Sequence, residues 1–123
     1  MHLIELSNHV SSFSVFIRNG NQTEIIPLNE ILYCVAEGNY TLIHLQNEQQ
    51  LLTSIRISYI LKILEPHGFL PIHKSTIVNL LHIRKIRSNG INKIIMINGE
   101  ELEISRRCKQ KINNYFTCDD RKT

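Results

Sequence analysis

The sequence has no tryptophan, only three prolines and three cysteines among 123 residues, and no long apolar run. The cysteines, Cys34, Cys108 and Cys118, form no CxxC pair and share no ligand spacing with histidine, which argues against a disulfide framework or a zinc site. No segment approaches the ~18 consecutive apolar residues of a membrane-spanning helix, and residues 1–12 lack the parts of a signal peptide. We therefore expect a cytoplasmic protein without metal, cofactor or membrane insertion.

Residue sets that carry catalytic chemistry are also missing. The sequence contains neither a GxxxxGK[ST] loop nor a GxGxxG loop, so a phosphate cradle at a helix start is absent. Most acidic residues lie in turns or alternate outward along strands, where they cannot complete a set with a nucleophile and a histidine. The six histidines share no metal-ligand spacing. We predict that the chain is not an enzyme.

Charge is distributed unevenly along the chain, although the net charge is only +3. Residues 1–69 carry three basic and six acidic side chains, whereas residues 70–123 carry eleven basic and five acidic ones. Such asymmetry is typical of proteins that bind polyanions, but unpaired surface lysines on an ordinary soluble protein give the same totals. Charge alone therefore leaves nucleic-acid binding open.

Short β-strands separated by turns dominate the chain, which predicts a mainly β fold. The segments "FSVFIR" (13–18) and "TEIIPL" (23–28) flank a turn that contains Gly20, and they predict a first hairpin. A second hairpin joins "ILYCVAE" (31–37) to "YTLIHLQ" (40–46) through "GN", and "QQLLTS" follows as a further strand. Later strands are expected in "FLPIH", "TIVNL", "IRKIR", "KIIMI" and "ELEI".

Two helices interrupt this pattern. In "SIRISYILKILEPHG" the apolar residues follow helical spacing, with Ser54 as the expected N-cap and Pro66 and Gly68 as the stop. Ser105 is the expected N-cap of "RRCKQKINNYF", a C-terminal helix. The residues that this helix is expected to turn towards the core are Cys108, Ile112 and Tyr115. Residues 117–123 show no pattern and are expected to be a disordered tail.

Three segments, "EILYCVAEGNYTLIHL", "FLPIHKSTIVNLLHIRKI" and "NGEELEISRR", resemble in order and interval the LytTR family of bacterial DNA-binding domains. The resemblance covers residues 13–116, preceded by an N-terminal extension (1–12). It implies an elongated arrangement of small, mostly antiparallel sheets whose loops enter successive major grooves of DNA. Family members are mostly output domains of response regulators in two-component systems. Since about twelve residues precede the first expected strand, no receiver domain is expected, and a stand-alone regulator or a piece of a longer one both remain open.

The segment "HKS" places a lysine in the middle of an apolar run. In one interpretation it is a solvated turn between strands. In the other, its apolar neighbours hold the loop so that Lys74 reaches guanine O6 and N7, while Ser75 suits a phosphate oxygen. The resemblance favours this second interpretation, because the family places a base-contacting side chain directly after this histidine. His73 is expected to hydrogen-bond within the loop and Asn79 to satisfy backbone groups. The neighbours expected to pack inward are Phe69, Ile72, Ile77 and Val78.

Two arginines follow Ser105 at the start of the C-terminal helix, where positive charge opposes the helix dipole and costs stability. An anionic partner would explain them. Arg107 aligns with the arginine through which the family reads the major groove, and its guanidinium can span guanine O6 and N7. Arg106 is the better candidate for a phosphate, followed by Lys109. The alternative is that both arginines are ordinary solvated side chains.

The third candidate segment is "EGNYT". Its turn residues are ordinary for a hairpin, so the turn alone indicates nothing. In the family the loop that joins these strands lies close to DNA, and by that resemblance Asn39 or Tyr40 contacts a base or a phosphate.

We therefore predict a sequence-specific transcription regulator of the LytTR type that reads the major grooves of double-stranded DNA with loop residues, at repeated sites. A homodimer on DNA and a signalling partner protein are left open. One rival is a protein-interaction module in which DNA binding is secondary. A second rival, single-stranded nucleic-acid binding, needs an exposed aromatic platform. The four phenylalanines and four tyrosines lie mostly inside apolar strands, which disfavours it.

Overall fold

The computed structural model describes residues 3–7, 13–87 and 92–116, with side chains from residue 13 onward. Two α-helices are present in these ranges, α1 (Ile57–Leu64) and α2 (Arg106–Phe116). Single turns of 3₁₀-helix occur at Leu28–Glu30, Glu65–His67 and Leu80–His82. The strands are β1 (Leu3–Ser7), β2 (Phe13–Asn19), β3 (Gln22–Pro27), β4 (Ile31–Glu37), β5 (Tyr40–Leu45), β6 (Gln50–Thr53), β7 (Phe69–His73), β8 (Thr76–Asn79), β9 (Ile83–Arg87), β10 (Lys93–Met96) and β11 (Glu101–Glu103).

The strands form three antiparallel sheets. Their strand orders are β1-β2-β3, β6-β5-β4-β8-β7 and β11-β10-β9. Within each sheet, strands that follow one another along the chain pair antiparallel, and β8 also pairs with β4, which joins β7 and β8 to β4, β5 and β6. This arrangement confirms the predicted mainly β fold of small antiparallel sheets with one helix in mid-chain and one at the C-terminal side.

Strand β1 corrects the expectation that the first strand begins at residue 13. It pairs with β2 from Leu3↔Ile17 to Ser7↔Phe13, so the expected N-terminal extension contains a strand. A five-residue segment carries little periodic signal of its own, and the ladder with β2 supplies most of its order. The tail expected at residues 117–123 lies outside the described residues.

The start of α1 differs from expectation, because Ser54 is not its N-cap. The Thr41 hydroxyl donates to the Ile55 carbonyl at 2.7 Å, and the Ile55 amide donates to Thr53 Oγ1 at 3.3 Å. These bonds hold the chain against the sheet through residue 55. The helix therefore begins two residues later, with an extended Arg56 as N-cap that makes no side-chain capping bond. The predicted stop is confirmed, since Gly68 has a φ of +91° and closes the 3₁₀ turn that follows.

Helix α2 begins where the sequence predicts. The amide of Cys108 donates to Ser105 Oγ at 3.1 Å, which is the N-cap bond expected of that serine. Ile112 is fully buried and Cys108 is partly buried, as predicted. Tyr115 is not a core residue, since 53% of it is exposed. Tyr115 instead borders a groove together with Phe116 and with Phe69 of β7.

The five-stranded sheet separates two hydrophobic cores, which explains why "STIVNL" is apolar at consecutive positions. Successive side chains of a strand point to opposite faces. Ile77 of β8 accordingly packs into one core, with the first sheet and α1, while Val78 packs into the other, with the third sheet and α2. The four neighbours of "HKS" that were expected to pack inward are all at most 2% exposed, namely Phe69, Ile72, Ile77 and Val78.

Candidate nucleic-acid interface

Two of the three candidate segments lie at one end of the five-stranded sheet. The turn Gly38–Asn39 closes the β4–β5 hairpin at the pair Glu37↔Tyr40. Strand β8 runs antiparallel to β4, and the Ala36 amide donates to the Ser75 carbonyl at 2.8 Å. The β7–β8 turn therefore lies beside the β4–β5 turn. We call this end of the sheet the loop end.

The start of α2 reaches the same end. The Ser105 amide donates to the carbonyl of Ile72 at 2.7 Å, and Ile72 lies two residues before Lys74 along the chain. Arg106 and Arg107 begin the helix directly after this bond. The arginine segment that follows Ser105 is thus attached to β7, the strand that leads into "HKS", although the two segments are far apart in sequence.

A fourth segment arrives at the loop end without having been predicted. Strand β6 pairs with β5 so that Thr53 lies opposite Thr41, and the chain then turns into α1. Arg56, at the start of that helix, lines a small cleft of about 170 Å³ together with Asn39 and Tyr40. The sequence already marks Arg56 as a candidate contact residue, because a cation beside a helix N-terminus opposes the helix dipole here as it does at Arg106.

The "HKS" loop is held by hydrogen bonds within it. His73 pairs with Thr76 across the turn, and the amide of Ser75 donates to His73 Nδ1 at 3.4 Å. The Ser75 hydroxyl lies 3.3 Å from the same nitrogen. This geometry confirms the predicted role of His73 and partly occupies the Ser75 hydroxyl. Lys74, at the tip, is exposed.

Basic side chains at the loop end have no acidic partner among the described residues. In the described part of the chain, the two lysine–carboxylate pairs join Lys93 to Glu101 at 3.3 Å and Lys111 to Glu65 at 3.5 Å. The first turn of α2 contains no acidic residue that would balance its arginines. Arg106 and Arg107 are exposed, and Lys109 is partly buried. The basic side chains without an ion pair at this end are Arg56, Lys74, Arg106, Arg107 and Lys109.

A cluster of titratable groups lies apart from this end and serves the packing of the sheets. The Tyr33 hydroxyl donates to Glu100 Oε2 at 2.7 Å, and the Tyr33 ring stacks on His44 with centroids 4.2 Å apart. Burial and the contact with Glu100 raise the pKa of Tyr33, whereas burial lowers the pKa of His44. The cluster attaches the β10–β11 turn to the five-stranded sheet. Burial alone raises the pKa of Cys34 to about 12, which favours the protonated thiol.

Other kinds of site find little support in the described ranges. No three His, Cys, Asp or Glu side chains converge there as metal ligands would. Neither α1 nor α2 has the length and apolar character needed to cross a membrane. A groove of about 590 Å³ lies at the end of the sheet opposite the loop end, around Phe69 and Asn79. It contains none of the predicted contact residues.

Comparison with known proteins agrees with this geometry. The family model of the LytTr DNA-binding domain matches residues 21–117. No protein of curated function matches the sequence. Among solved structures, the LytTr DNA-binding domain of a Bacillus cereus protein described as a methyl-accepting/DNA response regulator has the same fold, with a TM-score of 0.72 at 20% identity over 85% of this chain and 96% of that one. The chain belongs to the LytTR family of DNA-binding domains.

Proposed function

We propose that this protein is a transcription regulator that recognises specific sequences in double-stranded DNA with the side chains of its loop end. The observation that carries the proposal is that segments far apart in sequence are hydrogen-bonded to one end of one sheet, where their cations have no acidic partner among the described residues. An unbalanced group of cations is suited to a polyanion, and family membership makes DNA that polyanion.

In this proposal, side chains on the two turns and on the first turn of α2 contact the bases. Lys74 and Arg107 donate to guanine O6 and N7, and the planar guanidinium of Arg107 makes both bonds at once. Asn39 and Tyr40, on the neighbouring turn, contact a base edge or a phosphate. Each of these side chains is exposed at the loop end, so none needs to leave the core to bind.

Phosphates are bound around these contacts. Arg106 and Lys109 border a polar cleft of about 310 Å³ on α2, and Ser75 lies on the turn between them and Asn39. We add Arg56 to this group, because it lines the cleft beside Tyr40. Such contacts fix the register of the protein on the duplex without reading sequence.

Helix α2 does not act as a recognition helix in this mechanism. Its Ile112 is fully buried, and its start is tied to Ile72, so the helix lies against β7 instead of standing free to enter a groove. Only its first turn, with Arg106, Arg107 and Lys109, reaches the loop end. The sheet thus serves as a rigid support, and the loops carry the contacts.

Selection of bound duplexes from a random DNA pool tests the proposal. We expect a defined sequence, bound with an affinity that falls steeply as salt is added, because several phosphate contacts release counterions. Recovery of a repeated motif would support two copies on one site. Recovery of no preferred sequence, with binding that is insensitive to salt, would contradict the proposal and favour a protein-interaction module.

A further inference from the structure

The edge strand β9, "IRKIR", carries three cations that the proposed DNA site does not use. Arg84, Lys85 and Arg87 are all exposed, and none has an acidic partner in the described part of the chain. We propose that β9 is a second phosphate-binding surface, which contacts the DNA backbone beyond the bases read by the loop end. The inference rests on the proposed function and extends it to flanking DNA.

The direction of β9 places these cations in continuity with the loop end. Strand β10 pairs Lys93 with Arg87, and the Ile104 amide donates to the carbonyl of Asn92 at 3.0 Å, one residue before the bond from Ser105 that fixes the start of α2. The Arg87 end of β9 is therefore the end nearer to the loop end. At the other end of the hairpin, the Ile97 amide donates to the carbonyl of His82 at 2.9 Å.

The cross-strand pairing of Arg87 is unfavourable in the protein alone. Arg87 lies directly opposite Lys93, and like charges in that position destabilise a sheet. Lys93 forms an ion pair with Glu101 of β11, the strand on the side of β10 away from β9. That ion pair screens part of the repulsion, but Arg87 has no strand on its other side that could supply a carboxylate of its own, because β9 is an edge strand. A phosphate lying against β9 would offset the repulsion.

Protection of an exposed edge against pairing with other chains is the alternative explanation for these charges. Charged side chains, lysine in particular, commonly serve that purpose. Lys85 alone would supply it. Edge protection does not require the two arginines as well, and their guanidinium groups match the geometry of a phosphate better than an ammonium group does.

The inference predicts a contact that carries no sequence preference and depends on DNA length. The test uses the full chain with two duplexes: the selected site alone, and the same site extended by about ten base pairs, or one helical turn, on each side. The variant is Arg84→Gln with Arg87→Gln, which keeps Lys85 as edge protection. The control is Lys62→Gln with Lys111→Gln, which removes two exposed cations away from β9.

We expect the wild type and the control to bind the extended duplex more tightly than the short one. The β9 variant should lose this gain, and its salt dependence on the extended duplex should be shallower by about one unit of slope per lost contact. Its preference for the selected sequence over random DNA should be unchanged. An unchanged length gain and salt slope in the β9 variant would overturn the inference while leaving the proposed function intact. Absence of selective binding by the wild type would instead overturn the proposed function.

Discussion

The two ends of the five-stranded sheet use polar side chains in opposite ways. At the end opposite the loop end, which we call the closed end, the Asn79 side-chain amide donates to the carbonyls of Ile31 at 2.9 Å and Leu28 at 3.3 Å. Its oxygen accepts from the Leu81 amide at 3.0 Å, so the buried side chain is fully engaged. His82 Nε2 lies 2.6 Å from the carbonyl of Asn29. Polar groups at the closed end thus satisfy the protein's own backbone.

At the loop end the basic side chains are directed to solvent. Lys74, Arg106 and Arg107 are exposed and form no ion pair within the described residues. Removing a side chain from the closed end should therefore change stability, whereas removing one from the loop end should change binding. The comparison thus separates residues that stabilise the fold from residues that are proposed to bind DNA.

The largest effect on stability is expected from the core between the two ends. Ile77 is only 2% exposed, and Ile77→Ala leaves a cavity beneath the "HKS" loop. The free energy of unfolding should fall by about 2 to 5 kcal/mol, measured by urea denaturation. DNA binding should weaken only in proportion to the loss of folded protein or of loop support. A loss below about 0.5 kcal/mol would show that the loop is not held from below.

At the closed end, Asn79→Ala should destabilise without a direct effect on DNA. The change leaves two carbonyls and one amide without their side-chain partner, and an unsatisfied buried group costs about 1 to 3 kcal/mol. Denaturation and DNA affinity should be measured on the same preparation. Loss of affinity in fully folded Asn79→Ala protein would break the separation between the two ends.

Arg107→Ala should produce the reverse result at the loop end. If Arg107 reads guanine, binding to the selected site should weaken by about 1 to 3 kcal/mol and binding to random DNA by much less. Stability should be unchanged or slightly higher, because a cation leaves the positive end of a helix dipole. Equal losses on both DNAs would assign Arg107 to a phosphate.

The smallest effect concerns pH and His44. Burial lowers the pKa of His44 in the folded protein, against the smaller opposing influence of Glu100 and Glu37. The unfolded chain therefore takes up this proton first, and stability should fall as the pH drops below the ordinary histidine value of about 6.5. His44→Phe keeps a ring against Tyr33 but cannot titrate. Its melting temperature should depend less on pH between 7 and 5, and an unchanged dependence would exclude His44 as the cause.

Much of this architecture could be predicted from sequence, because the deciding interactions are local. The hairpin at Gly38 and the N-cap at Ser105 depend on residues within a few positions of each other. The inward packing on both sides of "HKS" follows from an apolar run too short for a helix. The polar role of Asn79 followed from the cost of burying an unpaired amide.

The errors arose where contacts distant in sequence decide the outcome. Thr41 holds the chain at Ile55, so Ser54 cannot cap α1, and no feature near Ser54 indicates this. The ladder between β1 and β2 orders a segment that is unremarkable by itself. The position of Arg56 beside a helix start could be recognised from sequence, but its closeness to Asn39 and Tyr40 could not, because the pairing of β5 with β6 brings them together.

Lys74→Ala tests most directly whether the loop end reads DNA, with Lys62→Ala as a control that removes an exposed lysine from α1. Melting temperature and affinity for selected and random duplexes should be measured on both variants. We expect both to melt within about one or two degrees of the wild type, since surface substitutions typically change stability by less than about 0.5 kcal/mol. Lys74→Ala alone should lose preference for the selected site. Full-strength, sequence-selective binding by folded Lys74→Ala protein would contradict the account and leave "HKS" a solvated turn.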